Sequence, residues 1–250
     1  MMSHQPLRAE DGNDMWMALL DIFRGGDSLK ELADDFQKML KTGHEMAQIV
    51  RPHVFDHSLT LAQRKKVYEL DIKVNKLERR IRKRVVTHLT TNPTQVPYCL
   101  LLVMIVKDAE RIGDYVKNVT EVSELGGGAV ANNELAAELN DLIDIAMELF
   151  DATPAIIAEQ NRELATELIQ AGRGAAKRCD RLLVELAKSD LVPAQVTSLV
   201  LLTRFYKRIG AHLVNILSSV VMPVHKVDFF DERLFADHPD SGVDRSTTVD

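Results

Sequence analysis

The chain has 250 residues, of which 46% are hydrophobic and 27% charged, so it can bury a sizeable core as one long domain or as two smaller ones. Its longest apolar run, residues 98–106, is far shorter than the ~20 residues that a membrane-spanning helix needs. A net charge of -6 argues against a general nucleic-acid binder. No basic and apolar leader opens the sequence, so we expect a cytoplasmic protein whose two cysteines stay reduced.

Apolar residues recur at spacings of three and four over long stretches, and this periodicity predicts an all-α fold. A first helix should span residues 27–52, and a second should run from about residue 61 to residue 89, before the break at Asn92-Pro93. A third should follow over residues 97–125. Three long helices in succession predict an antiparallel three-helix bundle.

The periodicity stops at the three glycines of residues 126–128 and then starts again, which predicts a second copy of the bundle. In this copy the second helix should span about residues 153–186, with Gly172 and Gly174 as a weak point where it would kink or break. Its third helix should span residues 193–221.

These breaks divide the chain into five predicted segments. They are an N-terminal segment (1–26), a first three-helix repeat (27–125), a glycine-rich linker (126–132), a second three-helix repeat (133–234) and a flexible tail (235–250). Two interpretations of the apolar stretch Met15–Phe23 stay open: docking on a membrane or on a transporter, and a short helix folded back on its own bundle. The second is favoured, because the stretch lacks the lysines and arginines of an interfacial membrane anchor.

One phrase occurs twice, as ERIGDYVKN at residues 110–118 and as KRIGAHLVN at residues 207–215. In the first copy Glu110 and Asp114 are four residues apart, so on a helix they share one face and form a candidate pair of metal ligands. The second copy has lost both carboxylates. The chain therefore contains a candidate site together with its own internal control.

The predicted second helix carries a similar polar line, formed by Asp71, Asn75 and Glu78. If the second and third helices fold back around a turn near residue 94, the two polar lines can face each other. Facing carboxylates repel unless a cation neutralises them, so oxygen-ligated iron, manganese, magnesium or zinc is a sensible occupant.

A second interpretation of the acidic line stays open. Acidic pairs at four-residue spacing are common on solvated helix faces, where lysine or arginine neutralises them. Arg111 and Lys117 are near enough in the sequence to do so.

The motif Glu110–Asp114, on the third helix of a tandem three-helix repeat, resembles the PhoU family, which regulates phosphate uptake. The similarity covers roughly residues 27–232 and includes the second-helix phrase at 71–78 and the closing stretch at 221–232. The resemblance implies six helices in two bundles related by a pseudo-twofold axis, with metal clusters at a Glu-x-x-x-Asp motif on each repeat. It also implies a signalling or accessory role beside a phosphate transporter.

The second repeat departs from that expectation. Lys207 and Ala211 replace the acidic pair, Ala176 replaces the second-helix aspartate, and Asp180 fits opposite the position of the second-helix asparagine. An ammonium at a ligand position repels a cation. We therefore expect one metal site, in the first repeat, and none at Lys207 and Ala211.

Smaller features complete the prediction. Gly113 and Gly210 should allow close helix approach, while Asn118 and Asn215 should be satisfied polar residues between helices. The basic run at residues 79–84 could meet an acidic partner or phosphate, but it is more typical of a solvated helix face. Aromatic residues for stacking on single-stranded nucleic acid are missing around it.

The favoured function is a non-enzymatic regulator or accessory protein of inorganic phosphate transport. It would dock on a phosphate transporter component and/or a sensor histidine kinase and would not bind nucleic acid. Peripheral membrane association through the transporter and a homodimer stay open. One alternative is a carboxylate-bridged di-metal helical-bundle enzyme, although the paired Glu-x-x-His motifs of such enzymes are missing. The other is a metal-free helical scaffold, favoured if Glu110 and Asp114 are salt-bridged to arginine and lysine.

Overall fold

The structure, a computed structural model, describes residues 27–122, 124, 129–130, 133–224 and 227. This part of the chain contains six α-helices and no strand, which confirms the all-α prediction. The helices are α1 (Asp27–Val50), α2 (Leu61–Thr91), α3 (Val96–Glu121), α4 (Glu134–Glu159), α5 (Arg162–Ala187) and α6 (Pro193–Val221). Short 3-10 turns follow α1 at Arg51–His53 and precede α3 at Pro93–Gln95.

The ends of the helices follow from local side-chain chemistry. The Thr60 side chain accepts a hydrogen bond from the backbone N–H of Gln63, whose own side chain accepts one from the Thr60 backbone, so a capping box opens α2. Asn133 and Asn161 open α4 and α5 by accepting from backbone N–H groups three residues ahead. These caps satisfy donors that have no partner inside their helices.

The prediction for the second helix of the second repeat was wrong at its start. That helix was expected from about residue 153, but α4 continues through Pro154 to Glu159, and α5 begins only at Arg162. The chain turns at Gln160, whose φ of 57° is left-handed, and Asn161 then caps the next helix. The break expected near Gly172 and Gly174 is also wrong, because α5 is continuous there.

The helices form two three-helix bundles that pack on each other. In the first, α1 packs on α2 and α3; in the second, α4 packs on α5 and α6. The third helices, α3 and α6, pack together across the two bundles, and α1 also touches α4. Buried apolar side chains from all six helices form one continuous core.

Three segments for which we made predictions lie outside the described residues: the Met15–Phe23 stretch, glycines 126–128 and the tail from residue 235. Among the described residues, no helix has an apolar stretch long enough to cross a membrane.

The two cysteines, Cys99 and Cys179, are buried free thiols, and burial raises the pKa of both.

Among the described glycines, the tightest packing is at Gly172 on α5, not at the glycines of the repeated phrase. A Cβ atom on Gly172 would lie 2.6 Å from Val214 Cγ2 and 2.8 Å from Leu149 Cδ2. On Gly113 it would make only ordinary contacts, the nearest 3.6 Å away, and on Gly210 it would meet nothing within 4 Å. The close approach predicted at Gly210 is therefore wrong.

Gly172→Ala is expected to destabilise the protein by about 1–3 kcal/mol, because the added methyl group overpacks the contact between α5, α4 and α6. Gly174 is the matched control, since nothing lies within 4 Å of a Cβ there. Gly174→Ala should instead stabilise by about 0.5–1 kcal/mol through helix propensity. Urea denaturation followed by circular dichroism measures both, and equal effects at the two glycines would contradict the packing at Gly172.

Candidate functional site

The antiparallel pairing of α2 and α3 brings the two predicted polar lines together. Asp71 on α2 and Asp114 on α3 share the ammonium group of Lys117, whose Nζ lies 3.1 Å from Asp71 Oδ2 and 3.1 Å from Asp114 Oδ1. Asn75 Nδ2 donates to Asp71 Oδ2 at 3.4 Å. Gly113 leaves room here, since a Cβ on it would lie 3.9 Å from Asp71 Oδ1.

A second carboxylate pair, about two turns further along α2 and one turn back along α3, repeats this arrangement. Lys107 Nζ lies 2.5 Å from Glu110 Oε2 and 3.9 Å from Glu78 Oε1. Arg82 Nη2 approaches Glu78 Oε1 to 2.8 Å as an ion pair, but outside hydrogen-bond geometry, so this buried oxygen has no hydrogen-bond partner among the described residues. Arg111 adds weaker contacts to Glu110 and to Asp114.

The five predicted site residues thus form one strip between α2 and α3, here called the carboxylate strip: Asp71, Asn75, Glu78, Glu110 and Asp114. Its carboxylates are largely shielded from water, and a shielded carboxylate needs a cation close by. Burial lowers the pKa of Lys117, but its hydrogen bonds to Asp71 and Asp114 outweigh that effect and raise the pKa overall. The lysine therefore stays protonated in the strip.

The donor atoms of the carboxylate strip suit a hard cation, because they are carboxylate and amide oxygens. Lysine side chains nevertheless occupy the position that a metal ion would take, since an ammonium group lies between the two carboxylates of each pair. Over the described ranges no three His, Cys, Asp or Glu side chains are grouped so that they could hold a metal ion. A metal would have to displace Lys107 and Lys117, and the metal site stays a prediction.

The equivalent position of the second repeat is also neutralised by lysine. Lys207, which takes the place of Glu110, hydrogen-bonds Asp180 across from α6 to α5. Lys207, Gly210 and Ala176 line the same shallow space between these helices. A lysine on the third helix thus faces an acid on the second helix in both repeats, but in the second repeat only one carboxylate takes part.

A buried polar cluster between the bundles was not predicted. Asp108 on α3 accepts hydrogen bonds from His212 Nδ1 at 2.6 Å and from Asn215 Nδ2 at 3.2 Å, both on α6. This confirms that Asn215 is a satisfied polar residue between helices. His212 Nε2 is buried and has no hydrogen-bond partner in the part of the chain that the structure describes.

The repeated phrase explains the position of this cluster. Tyr115 and His212 are equivalent in the two copies, and their rings stack on each other with centroids 5.8 Å apart, which places the pseudo-twofold axis between them. The equivalent of Asp108 is Phe205, and its ring packs 6.2 Å from that of Tyr115. One side of the axis is therefore polar and the other aromatic. The sequence feature that could have indicated this cluster is Asp108, which stands where the second repeat has Phe205.

The fold and the strip define a class, that of tandem three-helix-bundle proteins whose third helices pack around a pseudo-twofold axis. Within this class, residues 29–123 match the PhoU domain, so the resemblance to the PhoU family is confirmed.

Two comparisons with individual proteins agree with this assignment. A phosphate-specific transport system accessory protein PhoU homolog from Deinococcus radiodurans is 28% identical over 119 residues, which cover 42% of this chain and 55% of that protein. The matched part of the chain thus spans about half the length of this relative. The crystal structure of PhoU from Pseudomonas aeruginosa superposes with a TM-score of 0.68 at 19% identity, over 79% of this chain and 97% of that one. The similarity in structure covers 79% of this chain and so extends over both repeats, whereas the match to the PhoU domain covers the first.

Proposed function

We propose that this protein is an accessory protein of phosphate-specific transport that regulates by docking and is not an enzyme. The match of residues 29–123 to the PhoU domain carries the proposal. The similarity to a phosphate-specific transport accessory protein supports the same role. Its docking partner would be a transporter component or a sensor histidine kinase.

The charges of the carboxylate strip are compatible with a role without catalysis. Its acids are held by lysine or arginine and are largely shielded from water, so the strip is an internally neutralised contact between α2 and α3.

A metal ion remains part of the proposal for the first repeat. It would take Lys107 and Lys117 out of the strip and bind the carboxylates of Asp71, Glu78, Glu110 and Asp114, with the Asn75 amide beside them. Iron, manganese, magnesium and zinc all accept such oxygen ligands. The competing candidate is a metal-free helical scaffold, and it is favoured by the lysines that already neutralise both pairs.

The regulatory role is tested in cells that lack this gene, with a reporter on a phosphate-responsive promoter and with uptake of inorganic phosphate. The wild-type gene should restore the dependence of both on external phosphate. If phosphate uptake and reporter activity were unchanged after deletion of the gene, this result would contradict the proposed function.

The metal content of the purified protein distinguishes a metal site in the strip from a metal-free scaffold. Elemental analysis of untagged protein, purified without chelator, should show metal in the wild type and at least about tenfold less in Glu110→Ala/Asp114→Ala, with helicity unchanged. Lys207→Glu/Ala211→Asp should gain metal, because it restores the acidic pair in the second repeat. If all three proteins are metal-free, the scaffold is the correct description.

A further inference from the structure

The exposed face of α2 carries most of the positive charge of an acidic protein. This helix contains ten lysines and arginines but three acidic residues, although the whole chain has a net charge of -6. Its counterpart in the second repeat, α5, contains five basic and four acidic residues. The charge excess is therefore a feature of one helix and not of the repeat.

Six of these ten cations already have partners. Arg80 and Arg84 pair with Asp35, Lys66 with Glu45, and Arg82 with Glu78. Arg64 pairs with Glu124, and Lys65 with Glu69. Four others have no carboxylate within ion-pair distance among the described residues, and all four are exposed: Lys73, Lys76, Arg79 and Lys83.

Three of the four cations without partners lie along a line with exposed apolar side chains. Lys76, Arg79 and Lys83 recur on the side of α2 opposite to its buried stripe, and Lys65, which pairs with Glu69, extends this line to about 27 Å at the helical rise. Ile72 and Val86 lie on the same side and are 51% and 67% exposed. The helix thus presents a basic line interspersed with apolar groups.

We propose that this face of α2 docks on an anionic lipid surface. A convex helix face offers no pocket for the aromatic and arginine anchors that dominate protein interfaces. It does suit a flat sheet of diffuse negative charge, to which long lysine side chains can adjust. Each basic residue close to such a surface contributes roughly fivefold in affinity, and exposed apolar side chains add shallow insertion.

The second repeat sets the orientation of docking. Helix α4 contains seven acidic residues and no lysine or arginine. Its exposed acids include Asp144 and Asp141, which pair with Arg51 and Arg178 of other elements, and Glu148 and Asp151. An anionic surface repels this face while it attracts α2. The protein would therefore approach the lipid with its first repeat. The inference stands on the charge pattern of α2 and does not depend on phosphate regulation.

Sedimentation with lipid vesicles tests the inference on the full chain. The vesicles contain phosphatidylcholine alone, or phosphatidylcholine with one-third phosphatidylglycerol, at low and at high salt. The test variant is Lys76→Glu/Arg79→Glu/Lys83→Glu on α2. The matched control makes the same charge change at three exposed cations of the second repeat, Lys177→Glu/Arg181→Glu/Lys188→Glu.

The wild type and the α5 control should sediment with the anionic vesicles at low salt and not with the neutral ones. The α2 variant should lose at least about 100-fold in affinity while its circular dichroism is unchanged. No binding by the wild type, or equal loss in both variants, would overturn the inference. It would also be overturned if the wild type ignored vesicles but self-associated through α2, because the face would then bind the acidic α4 of a second copy.

Discussion

Phe150→Ala is expected to lower the free energy of unfolding by about 3–5 kcal/mol, because it removes a large, fully buried side chain and leaves a cavity. Phe150 on α4 is 1% exposed, and its ring lies 5.1 Å from that of His44 on α1. Its Cζ atom would also be only 3.2 Å from a Cβ on Gly43. The ring therefore fills the contact between the two bundles, and its loss weakens both.

Thermal unfolding followed by circular dichroism measures the effect, which corresponds to a fall in Tm of about 6–20 °C for a chain of this size. The matched control is Leu61→Ala, since Leu61 is 83% exposed and its loss should change stability by no more than about 0.5 kcal/mol. A single transition should persist in Phe150→Ala because the bundles share a core. A change below about 1 kcal/mol would mean that α1 and α4 do not pack in this way.

Most of the helical pattern follows from the sequence because each helix buries one stripe at three-four spacing. This rule located α1, α2, α3 and α6. It failed around Pro154, which was interpreted as part of a helix start although it lies inside α4. The turn between α4 and α5 contains no glycine, and Gln160 adopts the left-handed conformation there. The sequence feature that indicates this turn is Asn161, because asparagine is a strong N-cap residue.

The residues of the carboxylate strip were predictable from the sequence, but the lysines that neutralise them were only partly so. Counting outward from the turn near residue 94 places the two polar lines opposite each other, and the structure brings them together. Lys117 was recognised as a neighbour of the acids, but Lys107 was not, although it lies one turn before Glu110. Whether such a lysine points into the strip or into water depends on rotamers, which spacing does not determine.

The contacts between the bundles were beyond sequence reasoning for a different reason. The Asp108 and His212 pair spans 104 residues, and nothing in either helix alone indicates which face meets the other bundle. Only the pseudo-twofold packing of α3 on α6 brings this aspartate and histidine together.

Asp108→Ala is expected to destabilise the protein by about 2–4 kcal/mol. Asp108 is 8% exposed, and its removal leaves both His212 Nδ1 and Asn215 Nδ2 without their acceptor inside the interface between α3 and α6. Phe205→Leu is the matched control, because it changes the equivalent position on the aromatic side of the axis without leaving a polar group unpaired. That control should cost less, about 1 kcal/mol, as a hydrophobic exchange.

A double-mutant cycle with His212→Ala, measured by urea denaturation, determines how much of the Asp108 effect comes from the pair itself. We expect a coupling free energy of about 1–3 kcal/mol, since the two groups are in direct contact. Additive effects would mean that Asp108 and His212 do not meet in solution, and the pseudo-twofold packing around Tyr115 would then need a different register. Strong coupling would instead identify the polar side of the axis as the contact that fixes how one repeat is aligned on the other, because hydrogen-bonded groups tolerate less sliding than the apolar contact of Phe205 with Tyr115.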